Sequence, residues 1–322
     1  MKDSGCERKN PSSLDNIPPY RISLVIYGLL FDSPMASQDS AVMTMNFEMN
    51  GVENEVIDLS QCASILNRRF YRQGLNWAVA GFRIGYNGTL ADSVPGFSVG
   101  IYQAPQSWVV SGAWKKSMEM WRKQQNEALA ESGSLDQKSR YADFKVYLDT
   151  MHAQRGFADN LIPVTPGGFT PVGVNQPFPA GEWEYSQIVI PVSGGGGGAS
   201  EHYLKLLGED GVPVNHMSCI DGYQKGRAVP FSPDPAIPNP ADDSWMNEMF
   251  DDGNTFSDVV DNAVDKNNDL PYDQDNYPYG DFGSIEFTAQ LHRQVNFTNT
   301  TIGNFQNLEG GLFPCSCCIK II

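Results

Sequence analysis

The chain is short of the residues that announce catalysis. Its four histidines, His152, His202, His216 and His292, form no His-x-His or His-Glu-x-x-His pattern, so a metalloenzyme is not expected. The run of five glycines at 194–198 lacks the Lys-Ser/Thr of a phosphate loop and leads into no helical pattern; it reads as a flexible connection. Cys6, Cys62, Cys219, Cys315, Cys317 and Cys318 make neither a disulfide framework nor two facing Cys-x-x-Cys pairs. That usage favours a reducing compartment. The cluster Cys315-Ser-Cys-Cys318 reads either as reduced thiols or as a metal or cross-link site. No apolar run approaches the ~20 residues of a membrane span, and no membrane partner is expected.

Positive charge is also scarce: 22 Lys and Arg stand against 38 Asp and Glu, a net charge of -16. The imbalance is local. Residues 242–281 hold twelve acids and one base, whereas residues 66–155 hold twelve bases and seven acids. The acidic stretch reads as a solvated, self-repelling loop. The basic region suits a polyanion or an ordinary surface.

What is present is a globular composition, 41% hydrophobic and 19% charged, with 31 glycines and 21 prolines punctuating short alternating runs. Met43, Met45, Phe47 and Met49 alternate with polar residues, as in a half-buried strand. Ala78, Ala80, Phe82, Ile84 and Tyr86 alternate against Trp77, Val79 and Arg83 in a longer one, followed by an Asn87-Gly88 hairpin signal. Strands are further expected at 97–102, 143–148, 183–190, 202–207 and 284–292. The period changes only at Ser111–Glu131, where Trp114, Met118, Trp121 and Leu129 recur at helical spacing, with Ser111 as N-cap and Gly133 beyond the end.

One helix among roughly eight strands is not a βαβ pattern. It points to an all-β fold, a single jelly-roll antiparallel sandwich with long loops and one inserted amphipathic helix. The body is expected over residues 41–322, with an acidic excursion at 232–281. Residues 1–40 read as an N-terminal extension. Ile22–Phe31 imitates a leader, but Asp3, Glu7, Asp15, Pro18 and Pro19 interrupt what precedes it and no small-x-small cleavage site follows. Met35-Ala-Ser reads as an alternative initiator, so residues 1–34 are expected to add little to the fold.

Two sites of weak chemistry remain. Asp265-Lys-Asn267-Asn-Asp269 begins like a calcium loop, but Leu270 stands where the turn glycine belongs and Asn276 where the bidentate Glu belongs. A calcium site among Asp265, Asp269, Asp273 and Asp275 is the only cofactor to consider. Glu182 and Glu184 flank Trp183 on one face, as surface or as a carboxylate pair. The sequons at Asn87, Asn296 and Asn299 matter only on a secretory route.

The most distinctive stretch runs from Asp58 to Ile84. Its centre, Asn67–Trp77, packs three arginines with a phenylalanine, a tyrosine and a tryptophan and contains no nucleophile, metal cluster or phosphate loop. Four pieces in order carry a resemblance. They are Asp58–Gly74, ending Asn-Arg-Arg-Phe-Tyr-Arg-Gln-Gly; Ser107-Trp-Val-Val-Ser-Gly-Ala-Trp114 leading to Trp121; Tyr141-Ala-Asp-Phe-Lys-Val-Tyr-Leu-Asp149; and Asn160-Leu-Ile-Pro163 followed by Gly181-Glu-Trp-Glu-Tyr-Ser-Gln-Ile-Val-Ile-Pro191. Over roughly residues 55–210 the chain resembles capsid proteins of small circular Rep-encoding single-stranded DNA viruses.

The resemblance implies a jelly-roll subunit, not an enzyme, that assembles with itself into an icosahedral shell around a single-stranded DNA genome. It implies a place in the virion, in the host cell interior during assembly, and a host surface receptor as a further partner. Such proteins commonly carry a basic N-terminal arm, yet residues 1–34 hold four bases and four acids. Arg68, Arg69 and Arg72, with Lys115, Lys116, Arg122 and Lys123, are therefore the candidates for an inner basic surface or for subunit contacts. The alternative is a secreted β-sandwich that binds or hydrolyses carbohydrate.

Overall fold

The computed structural model describes residues 20–26 (backbone), 44–49, 54–86, 96–133, 141–165, 175–191, 198–211, 213–228, 279, 289–301, 305–314, 316 and 318–322. In chain order these form β1 (Tyr20–Ile26), β2 (Thr44–Met49), β3 (Glu55–Asp58), α1 (Leu59–Asn67), β4 (Trp77–Tyr86), β5 (Phe97–Gln103), α2 (Trp108–Glu131), α3 (Thr150–Arg155), β6 (Gln187–Pro191), β7 (Ala199–Lys205), β8 (His216–Ser218), α4 (Cys219–Ala228), β9 (Gln290–Phe297), β10 (Gln306–Phe313) and β11 (Cys318–Ile321). The expected calcium aspartates, the Asn87-Gly88 turn and nearly all of 232–281 lie outside the described residues.

Two four-stranded sheets, ordered β10-β4-β1-β2 and β3-β11-β5-β9, are antiparallel throughout. They face each other as a sandwich over an apolar core that includes Phe47, Ile57, Phe82, Ile101, Phe297 and Ile319. The alternation expected in β2 is borne out: Met45, Phe47 and Met49 are buried and the residues between them are not. Each such side chain contributes about 1.5–3 kcal/mol by leaving water.

The second sheet is covered on both faces. In β11, Ile319 and Ile321 face the sandwich core, while Cys318 packs into a second core with Val56, Val110, Phe144, Leu206 and Ile220. That second core belongs to a layer inserted between β5 and β9, made of α2, α3, α4 and the mixed sheet β6-β7-β8. The fold is therefore predominantly β, with four α-helices among the described residues rather than the single helix expected. Periodicity found α2 alone because only α2 is long enough to show several turns; α1 and α3 have nine and six residues.

Five further expectations need correction. Residues 20–26 are not a dispensable extension: β1 lies between β4 and β2 and pairs with both. The segment read as imitating a leader supplies, through Ile26, a strand of that sheet. The β4 strand does not keep one alternation. Val25 pairs with Gly81 and Ile26 with Val79, so Ala80 is bulged out. The inward set consequently switches from Trp77 and Val79 to Phe82, Ile84 and Tyr86. Helix α2 starts one turn early. Ser107, not Ser111, caps it by accepting from the Val110 amide at 3.3 Å, and this brings Val109 and Val110 into the buried face. Gly133 does follow its end, at φ +69.

The expected strand at 143–148 is extended chain with one isolated bridge at Tyr147. At Val146 the ladder position is taken by a side chain. The Gln73 amide accepts from the Val146 N–H at 2.7 Å and donates to its carbonyl at 3.1 Å. The expected strand at 183–190 begins only at Gln187, where pairing with β7 starts opposite Tyr203; Trp183 and Tyr185 before it are buried. Among the described residues the last strands are β9, β10 and β11, with β9 beginning at Gln290.

Candidate functional site

Three of the four segments that carry the resemblance meet around one buried group. Asp58 ends β3 and caps α1, with Oδ1 accepting from the Ser60 and Gln61 amides at 3.0 and 3.2 Å. Its Oδ2 accepts from Gln73 Nε2 and Trp183 Nε1, both at 3.1 Å, and from the Tyr185 hydroxyl at 3.3 Å. Leu148 N–H donates to His152 Nδ1 at 3.0 Å, so Nε2 carries the proton and donates to Asn160 Oδ1 at 2.9 Å. Asn160 Nδ2 then donates to Gln61 Oε1 and to Tyr185. Burial outweighs the donors around Asp58 and pushes its carboxyl up to about 6, and burial pulls His152 down to about 4. Behind this network Lys320 Nζ and Asp149 form an ion pair at 2.8 Å with both side chains buried.

This network accounts for the odd composition of the motifs. Gln73 is a stand-in strand, and Gly74 leaves room for the Trp114 ring, which a Cβ would strike. Asp58, Gln73, His152, Asn160 and Tyr185 are all buried. One cue to Asp58 was readable, an acid just before a helix. The partners of His152 and Asn160 were not.

A groove of about 470 Å³ opens above the network, lined by Arg68, Arg69, Phe70, Tyr141, Lys145 and Trp183 among others. Arg68 ends α1 in the left-handed conformation, φ 51 and ψ 32. Arg68 and Arg69 are exposed. Arg72 lies outside the groove lining and is engaged, donating to the Ala142 carbonyl at 3.1 Å and pairing with Asp143 at 3.4 Å. Lys145 Nζ sits 4.4 Å from the Trp183 ring centre, and burial lowers its pKa. Lys145 and Tyr141 are groove residues that the sequence reading did not single out.

Lys115, Lys116, Arg122 and Lys123 are exposed on α2, and none of them lines this groove. Lys116 and Lys123 instead border a separate cleft with Met120, Val189 and Met217, and Lys123 pairs with Glu127 at 3.8 Å. Arg68 and Arg69 thus stand on one surface, and Lys116 and Lys123 on another. Glu182 lines the arginine groove, and Glu184 is exposed beside it. The run Gly96-Phe-Ser98-Val-Gly100 has the spelling of a nucleophile elbow, but Ser98 pairs with Asn296 within β5 and not on a strand-to-helix turn. Among the described residues no three His, Cys, Asp or Glu side chains cluster to hold a metal, and no helix is long and apolar enough to cross a membrane. Set against models of known families, curated proteins and solved structures, the chain matches none.

Proposed function

We propose that this chain is a structural coat subunit that assembles with copies of itself into an icosahedral shell around a single-stranded DNA genome. It acts in the virion, without a cofactor and without turning over a substrate. The observation that carries the reading is the pairing of the sandwich strands. The rungs β5/β9, β4/β10 and β3/β11 join two arms of the chain as an antiparallel ribbon, and a fourth rung pairs β2 with β1, which precedes it in the chain. One arm runs β9, β10, β11; the other runs back through β5, β4, β3 to β2. Successive rungs alternate between the two sheets. Rungs that alternate in this way, with β1 standing beside β2 where a further strand of the second arm would lie, support a jelly roll, the body that the resemblance implies.

Three of the four motif segments meet around Asp58, which adds to this, since pieces linked only by order along the chain are bonded to one another. A shell subunit needs a rigid body to fix angles between neighbours, and the doubly covered middle sheet supplies one. Electron microscopy and sedimentation of the purified full chain test the reading. Uniform closed particles are expected. A solitary monomer at every concentration and ionic strength would sink it, and retention of that monomer on a glycan column would favour a carbohydrate-binding protein instead.

A further inference from the structure

We infer that the groove beside Arg68 is a nucleotide pocket, taking one stacked base and the adjoining phosphate of single-stranded DNA. The inference deepens the coat-subunit reading and rests on it for the choice of DNA; the chemistry of the pocket stands on the geometry. Three rings make a continuous strip: Phe70 lies 5.5 Å from Tyr141 edge-on and 6.1 Å from Trp183. Trp183 is held by its bond to Asp58 and is 7% exposed, so it forms the fixed wall. Tyr141 is 59% exposed and is the ring a base can reach. A volume of about 470 Å³ falls within the usual range for a small-molecule site.

Charge completes the fit. Arg68, Arg69 and Lys145 line the groove against the single carboxylate of Glu182. Among the described residues neither Arg68 nor Arg69 forms an ion pair, in contrast to Arg72. Arg68 also occupies a backbone conformation that strains any side chain and that glycine adopts freely. A long cation held where glycine would be more stable is the pattern of a residue kept for contact. Aromatic rings with neighbouring cations bind single strands because every unpaired base offers a π-face, whereas a duplex hides its faces in the stack.

The test is fluorescence anisotropy of the full chain with a labelled oligothymidylate and with a duplex of equal length, run beside electron microscopy. The oligothymidylate should bind more tightly than the duplex. Tyr141→Ala should weaken single-strand binding about tenfold. Arg68→Gly should raise the thermal midpoint yet weaken binding and lower the salt slope by about one phosphate. That variant is expected to fold better than the parent, so lost binding cannot be blamed on unfolding. Unchanged affinity in both variants, or equal affinity for duplex, overturns the pocket. Loss of particles in Arg68→Gly with oligonucleotide binding intact also overturns it and assigns the groove to a neighbouring subunit. Particles that form while binding is unaffected leave the coat reading standing without the pocket. Oligonucleotide binding by a chain that never assembles does the opposite.

Discussion

The interior between the two four-stranded sheets and the interior around Asp58 lie on opposite sides of β3 and β11, and they are built from different chemistry. On one side Ile57, Ile319 and Ile321 join an apolar core. On the other, Asp58 meets Gln73, Trp183 and Tyr185, and Lys320 meets Asp149. Apolar packing is non-directional and accepts substitutes of similar size. A buried polar group must find its partner in place or lose its full cost of desolvation. The first interior sets that there is a sandwich. The second sets how the inserted layer docks on it: Trp183, Tyr185 and Asp149 bond to it directly, and Gln73 links Asp58 to Val146.

Deleting residues 1–34 should break the comparison most severely. It removes β1 from between β4 and β2, uncovering two ladders at once. The truncated chain is expected to be insoluble or to lose its cooperative melt by circular dichroism. A soluble, fully folded product would restore the view of those residues as an extension.

Next come single changes, one for each interior. Phe47→Ala should cost about 3–5 kcal/mol in chemical denaturation, by opening a cavity. Lys320→Met should cost a similar ~3–5 kcal/mol, by stranding the Asp149 carboxylate. The two losses differ in their remedy. Adding Asp149→Asn should recover most of the second, since Asn keeps the 2.9 Å cap on the His152 amide without the charge. Failure of that double variant to recover would mean that the pair is not held as described.

The smallest effect is a change of slope. Asp58 holds its proton more tightly folded than unfolded, about 6 against 3.8, so its contribution is present in acid and lost as pH rises through 6. His152 does the reverse, about 4 against 6.5, so its contribution is present at neutral pH and lost as pH falls through 4. Between about pH 4 and 6 the two oppose each other. Asp58→Asn should remove one and steepen the acid loss of stability by on the order of 1 kcal/mol per pH unit. Parallel pH profiles for parent and variant would count against the burial of Asp58.

The two interiors were also unequally legible. The β2 pattern and the Trp114–Trp121 face of α2 could be read directly, because burial of one face imposes a period on neighbouring residues. The arginine groove was half legible: Arg68 and Arg69 stood out, whereas Tyr141, Lys145 and Trp183 come from segments 70 or more residues away. The α2 lysines, grouped with the arginines by their charge, proved to belong to another surface. The bulge at Ala80 was invisible because it shows only in the register of β4 against β1, where Ala80 is skipped between the Val25 and Ile26 pairs.

By itself the sequence determined the β character, the long helix and the lack of helical zinc-site spacing, since each depends on residues close together in the chain. The tertiary structure alone decided that β1 belongs to a sheet, that Gln73 serves as a strand and that Lys320 is buried. Those outcomes depend on which distant partner arrives opposite a residue, and a polar side chain carries no local mark of whether water or a protein group will satisfy it.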